Sequence, residues 1–129
     1  VAGAFADEIG LPLPTGMQLA SGFGAGMGRM REVCGTVSGM VFVAGALTGY
    51  ADPKESAAKI ALYARIQKLA AEFSAQNGSI ICKELLGLSA PEGSPVPQAR
   101  TSAYYQKRPC AELCRMAADL VQAELCTTP

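Results

Sequence analysis

The chain has 129 residues, enough for one domain, and half of them are hydrophobic, so it can bury a core and is not a disordered polypeptide. Eleven basic and eleven acidic side chains cancel, which removes the long-range field of a general nucleic-acid or anionic-membrane binder. Five cysteines are an odd number, which argues against a secreted disulfide framework, and the absence of histidine removes the commonest general base and metal ligand. The first residue is Val1, which suggests a start that is trimmed or processed, and no export signal opens the sequence.

In chain order, Val1, Phe5 and Ile9 share a helical face, and Gly10 with Pro12 and Pro14 ends that segment. Thr15 and Gln18 form a capping-box pattern that predicts a short helix through Met17 and Ala20. The run from Gly22 to Gly28 does not match G-x-G-x-x-G and has no βαβ setting, so a nucleotide loop is discounted. It predicts instead a tightly turned backbone that brings Arg29 and Cys34 to a common surface, with N–H groups able to hold an anion.

Val33 to Ala51 carries no charged side chain and approaches the roughly 20 residues of a membrane span. Gly35, Gly39, Gly45 and Gly49, together with Cys34, Thr36, Ser38 and Thr48, weaken its insertion, so the expectation is the central helix of a soluble bundle. Glycines four residues apart would let a partner helix approach closely, and Gly35 would leave room beside Cys34 for a second sulfur or a small substrate.

Asp52-Pro53-Lys54-Glu55 predicts the start of a long helix, with an N-cap oxygen, a proline at the first position and an acidic first turn. Ala58, Leu62, Ile66, Leu69 and Phe73 form its buried stripe, Lys54, Lys59, Arg65, Lys68 and Glu72 reach solvent, and Asn77-Gly78 closes it. Ser79 predicts the cap of a short helix through Cys82, Leu85 and Leu86 that Gly87 stops. From Leu88 to Arg108, Pro91, Gly93, Pro95 and Pro97 predict a long surface loop. Pro109 then opens a last helix with Leu113, Ala117, Leu120, Val121 and Leu125 as its apolar face. No sustained β alternation and no second domain are present. The expectation is therefore a single all-α domain over residues 1–129, a helical bundle of about five or six helices with a glycine-rich turn and a long Pro-containing loop.

Cys34, Cys82 and Cys110 each fall in the first turn of a predicted helix, where free N–H groups and the helix dipole favour a thiolate. Arg29 and Arg31 precede Cys34 and make it the leading nucleophile or ligand. The intervals between the three are too long for a local metal knuckle, so helix packing must assemble any joint site. Cys110 and Cys114 are one turn apart; their sulfurs could meet or share an ion, although a disulfide inside a regular helix is strained, and core filling is the preferred role for Cys114. Cys126 beside Thr127-Thr128-Pro129 reads as free, incidental or intermolecular. The carboxylates occupy cap and surface contexts, so hydrolase chemistry has little support. Tyr104-Tyr105 beside Lys107 and Arg108 could bind an extended partner, loop packing being the commoner use.

Three segments carry a resemblance: Ser21-Gly22-Phe23-Gly24-Ala25-Gly26-Met27-Gly28-Arg29, Glu32-Val33-Cys34-Gly35-Thr36-Val37-Ser38-Gly39, and Gly78-Ser79-Ile80-Ile81-Cys82-Lys83-Glu84-Leu85-Leu86-Gly87. Over nearly the whole chain the sequence resembles the C-GCAxxG-C-C family, to which a redox activity is ascribed. The resemblance implies site cysteines at Cys34, Cys82 and Cys110, with a first family cysteine upstream of Val1 and with Thr36 where alanine is usual. It implies thiol/disulfide or electron-transfer chemistry in a thiol-based oxidoreductase; if two thiols cycle, Cys34 with Cys82 or Cys110 is the pairing expected from the residues. One alternative is zinc or iron–sulfur ligation by Cys34, Cys82 and Cys110; the other is a non-enzymatic helical adaptor whose cysteines only pack. Haem is not expected, because C-x-x-C-H is missing. A cytoplasmic, reduced setting is expected, with an unidentified redox partner, no nucleic acid, no membrane, and a homodimer as open as a monomer.

Overall fold

The structure is a computed structural model that describes residues 1–88 and 94–126. Among these residues a short 3₁₀ turn at Ala2–Phe5 leads to α1 (Leu13–Ala20), α2 (Gly35–Thr48), α3 (Ser56–Asn77), α4 (Cys82–Leu85), α5 (Ser102–Lys107) and α6 (Cys110–Leu125). No strand is present among them, only an isolated antiparallel bridge between Val33 and Ile81. The fold is the expected all-α one.

Helix α2 runs through the centre because it has almost no polar face to show to water. Its Val37, Met40, Val43 and Ala44 pack with Leu62, Leu69 and Phe73 of α3 and with Leu113, Ala117 and Val121 of α6, and Phe5 covers the remaining side. The expected stripe of α3 is buried at Leu62, Leu69 and Phe73, with Ile66 packed against the same core. The glycines of α2 serve a different neighbour from the one expected. A Cβ at Gly39 would come within 2.9 Å of the Val1 Cβ, so the N-terminal turn lies on this glycine, whereas nothing comes within 4 Å of a Cβ at Gly45. Among the described residues no helix is long and apolar enough to cross a membrane.

Several boundaries differ from the sequence reading, each for a local reason. Thr15 lies inside α1 and does not cap it, because Pro14 fits the first turn, where a missing N–H costs nothing, and the helix begins at Leu13. Asp52 accepts from the Lys54 N–H at 2.9 Å, and this closes a separate turn; α3 starts after it at Ser56. Ser79 accepts from the Ile81 N–H at 2.9 Å and donates to the Glu84 carboxylate at 2.9 Å, bracing the entry to α4 without capping it. The expected long loop holds α5, whose N-cap Thr101 accepts from the Tyr104 N–H at 3.2 Å. Its Pro91 and Gly93 lie outside the described residues, as do Thr127, Thr128 and Pro129 beside Cys126. Gly78 closes α3 as expected, at φ 91°.

Phe73 is fully buried where α3 meets α2 and α6, so Phe73→Ala lowers unfolding free energy by about 3–5 kcal/mol in urea titrations. Gly45→Ala, in open space inside α2, raises it by about 0.5–1 kcal/mol in the same measurement.

Candidate functional site: a cavity lined by cysteines

The glycine-rich segment between α1 and α2 is a turn of reversed hand. Ala25, Gly26, Met27, Gly28 and Arg29 have φ of 53°, 73°, 68°, 59° and 67°, and Arg31 follows at 59°. Each residue with a side chain costs roughly 1–2 kcal/mol in this conformation. Backbone bonds hold it: the Gly28 N–H donates to Gly22 O at 2.9 Å, the Arg31 N–H to Ala25 O at 3.2 Å and the Glu32 N–H to Gly26 O at 2.9 Å. Gly26 is needed twice over. Its φ is left-handed, and a Cβ there would lie 2.6 Å from the Cys82 Cβ and 2.7 Å from the Arg31 Cα.

The turn delivers residues 31–34 alongside 80–83. The Cys34 N–H donates to Ile80 O at 2.8 Å, the Cys82 N–H to Glu32 O at 2.6 Å and the Lys83 N–H to Arg31 O at 3.2 Å. Side chains alternate across such a pairing, so with Val33 and Ile81 on one face, Cys34 and Cys82 share the other. Cys34 is the N-cap residue of α2, Cys82 is the first residue of α4 and Cys110 the first of α6. These three, with Cys114 one turn further along α6, line one cavity of about 360 Å³. All are free thiols.

The sulfurs have different surroundings. Cys34 Sγ is 3.1 Å from the Thr36 hydroxyl, and Arg31 Nη1 donates to Cys82 Sγ at 3.8 Å. Arg31 itself is only 4% exposed. Cys110 is more exposed, yet its thiol titrates above the ordinary value; partial burial is the main cause, followed by the Cys34, Cys82 and Cys114 sulfurs, with Arg108 opposing them. A helix start thus does not by itself produce a thiolate at Cys110, because partial burial disfavours the charged form and the neighbouring sulfurs add to it. Among the described residues no group of three or more Cys, Asp or Glu is gathered closely enough to hold a metal ion. The four sulfurs stand around a cavity wall.

Several expectations change. Arg31 donates to the Cys82 sulfur, a contact that chain order did not indicate, and Arg29 Nη1 donates to Ser94 O at 2.9 Å. Gly35 makes room for backbone and not for sulfur, since a Cβ would lie 2.7 Å from Phe23 O. Cys114 belongs to the cavity wall, while Cys126 packs partly buried against the core. Thr36, Arg100 and Tyr104 also line the cavity, although the sequence reading did not place them with the cysteines and offered Tyr104 only as part of a surface for an extended partner. For Thr36 the signal was its place two residues after Cys34; the other two are brought in by α5.

The fold is all-helical among the described residues, and one cavity in it is lined by cysteines from separate helix starts. The chain belongs to the C_GCAxxG_C_C family, whose description is "Putative redox-active protein (C_GCAxxG_C_C)", matched over residues 1–124. Neither a curated protein nor a solved structure matches it.

Gly26→Ala forces a methyl group onto the Cys82 Cβ and the Arg31 backbone, so it costs more than about 1 kcal/mol in chemical denaturation. The raised thiol value means that folded Cys110 keeps its proton where the unfolded chain has lost it. Its effect on stability is therefore absent below the ordinary thiol value and unfavourable as pH rises past it. Alkylation of Cys110 followed by peptide mass spectrometry should show a pH midpoint above that of a free thiol. In a Cys34→Ala, Cys82→Ala protein that midpoint falls.

Proposed function

We propose that this protein is a dithiol redox protein in which Cys34 and Cys82 exchange with a substrate disulfide. The observation that carries the reading is the antiparallel pairing that puts both cysteines on one face, at the wall of one cavity. Cys82 is the attacking sulfur, with Arg31 Nη1 3.8 Å away as its cationic partner; it gives its proton to solvent and attacks as the thiolate. Attack breaks the substrate S–S bond and joins one substrate sulfur to Cys82. The other leaves as a thiolate and takes a proton from solvent. Cys34, its sulfur beside the Thr36 hydroxyl, gives its proton to solvent and attacks Cys82, and the second substrate sulfur leaves as a thiolate that takes a proton from solvent. Two electrons and two protons have then moved from the protein to the substrate. The thiol reading is favoured over ligation because no three donors among the described residues converge on one point. Free thiols in this number suit a reducing, cytoplasmic setting.

Thiol trapping at controlled potentials, read by mass spectrometry, tests the proposal. The expected result is one two-electron step in which the peptides of Cys34 and Cys82 become linked, lost in Cys34→Ser and Cys82→Ser and kept in Cys126→Ser. Equal labelling of every cysteine at every potential would overturn it.

A further inference from the structure

The charges around the cavity are segregated in a way that thiol exchange alone does not require. Among the described residues its lining contains Arg31 and Arg100 and not one Asp or Glu, in a chain whose basic and acidic residues are equal in number. Tyr104, which lines the cavity with Arg100, carries two cations on one ring: the Arg100 guanidinium lies 4.6 Å and that of Arg108, outside the cavity lining, 5.4 Å from the ring centroid. Both bond to neutral groups, Arg100 to the Tyr104 hydroxyl and Arg108 to Gln98 Oε1 at 3.2 Å. Among the described residues neither forms an ion pair, whereas Arg65, Lys68 and Arg115 on the outer faces of the bundle each have a carboxylate within 4.0 Å. Two guanidiniums held against one ring repel each other, and an anion bound to Arg100 from the cavity side reduces that cost. A guanidinium also offers a forked donor pair that matches a carboxylate.

We infer that the cavity selects a small disulfide bearing carboxylates, with Arg100 holding a carboxylate, in the field of nearby Arg108, while its S–S bond reaches Cys82 beside Arg31. The inference rests on the dithiol reading for its chemistry and adds the substrate class. A volume of about 360 Å³ suits a small molecule. The reaction is the exchange already written: the substrate S–S bond is reduced to two thiols, and Cys34 and Cys82 are oxidised to a disulfide.

Three aliphatic disulfides of similar size separate charge from reactivity: dithiodiglycolate, an anion; bis(2-hydroxyethyl) disulfide, neutral; and cystamine, a cation. Each rate with the reduced full chain is divided by its rate with a free small-molecule thiol in the same low-salt buffer. The expected order is anion over neutral over cation, with anion and cation differing by about tenfold or more. In Arg100→Gln, Arg108→Gln protein the spread shrinks severalfold when each rate is referred to that of the neutral disulfide. Equal normalised rates for all three in the unsubstituted protein would overturn the inference and leave the dithiol reading standing. If no disulfide reacts, the dithiol reading fails on its own. Titration calorimetry with the unreactive thioether thiodiglycolate then decides the charge selection: binding lost in the double variant upholds it, and no binding ends it.

Discussion

Two short hydrogen bonds decide whether this protein has a site at all. The Cys82 N–H reaches Glu32 O at 2.6 Å and the Cys34 N–H reaches Ile80 O at 2.8 Å, fastening together segments that lie almost fifty residues apart in sequence. The helices supply the frame, since α2, α3 and α6 bury Met40, Phe73, Leu69 and Val121 almost completely. That core alone does not align Cys34 with Cys82. The alignment comes from a backbone ladder a few residues long, in which each peptide group answers the one across from it.

The left-handed turn is the other half of the same device. Ala25, Met27, Arg29 and Arg31 all occupy a conformation that side chains disfavour, and an isolated peptide of this sequence would leave it. Backbone bonds within the turn and the contact of Gly26 with Cys82 hold it in place. Local strain here is maintained by tertiary contact, and it puts Arg31, nearly sealed from water, within reach of the Cys82 sulfur.

The helical class, the α3 stripe, the Gly78 stop and the helix-start positions of Cys34, Cys82 and Cys110 were all legible, because each depends on spacing or on one residue's own conformational preference. The capping readings at Thr15, Asp52 and Ser79 failed in detail. A hydroxyl or carboxylate that can cap a helix can equally close a turn or sit within a first turn, and prolines nearby decided the issue at Thr15. Helix α5 was hidden because the prolines before Thr101 outweighed a six-residue helical stretch. The contact of Arg31 with Cys82 was missed for a deeper reason. Nearness along the chain favoured Cys34, but the reversed hand of the turn and the bridge to residues 80–83 send the guanidinium to Cys82. No periodicity encodes such a crossing.

The reversed turn also fixes how many residues can lie between α1 and the bridge. Adding or removing one would slide Gly26 off Cys82 and place a side chain where only hydrogen fits, so this connection has a locked length. The stretch from 94 to 100, exposed along its whole length, meets no comparable steric limit. Lineage variation in chain length can accumulate there while the short loop over the sulfurs keeps its residue count.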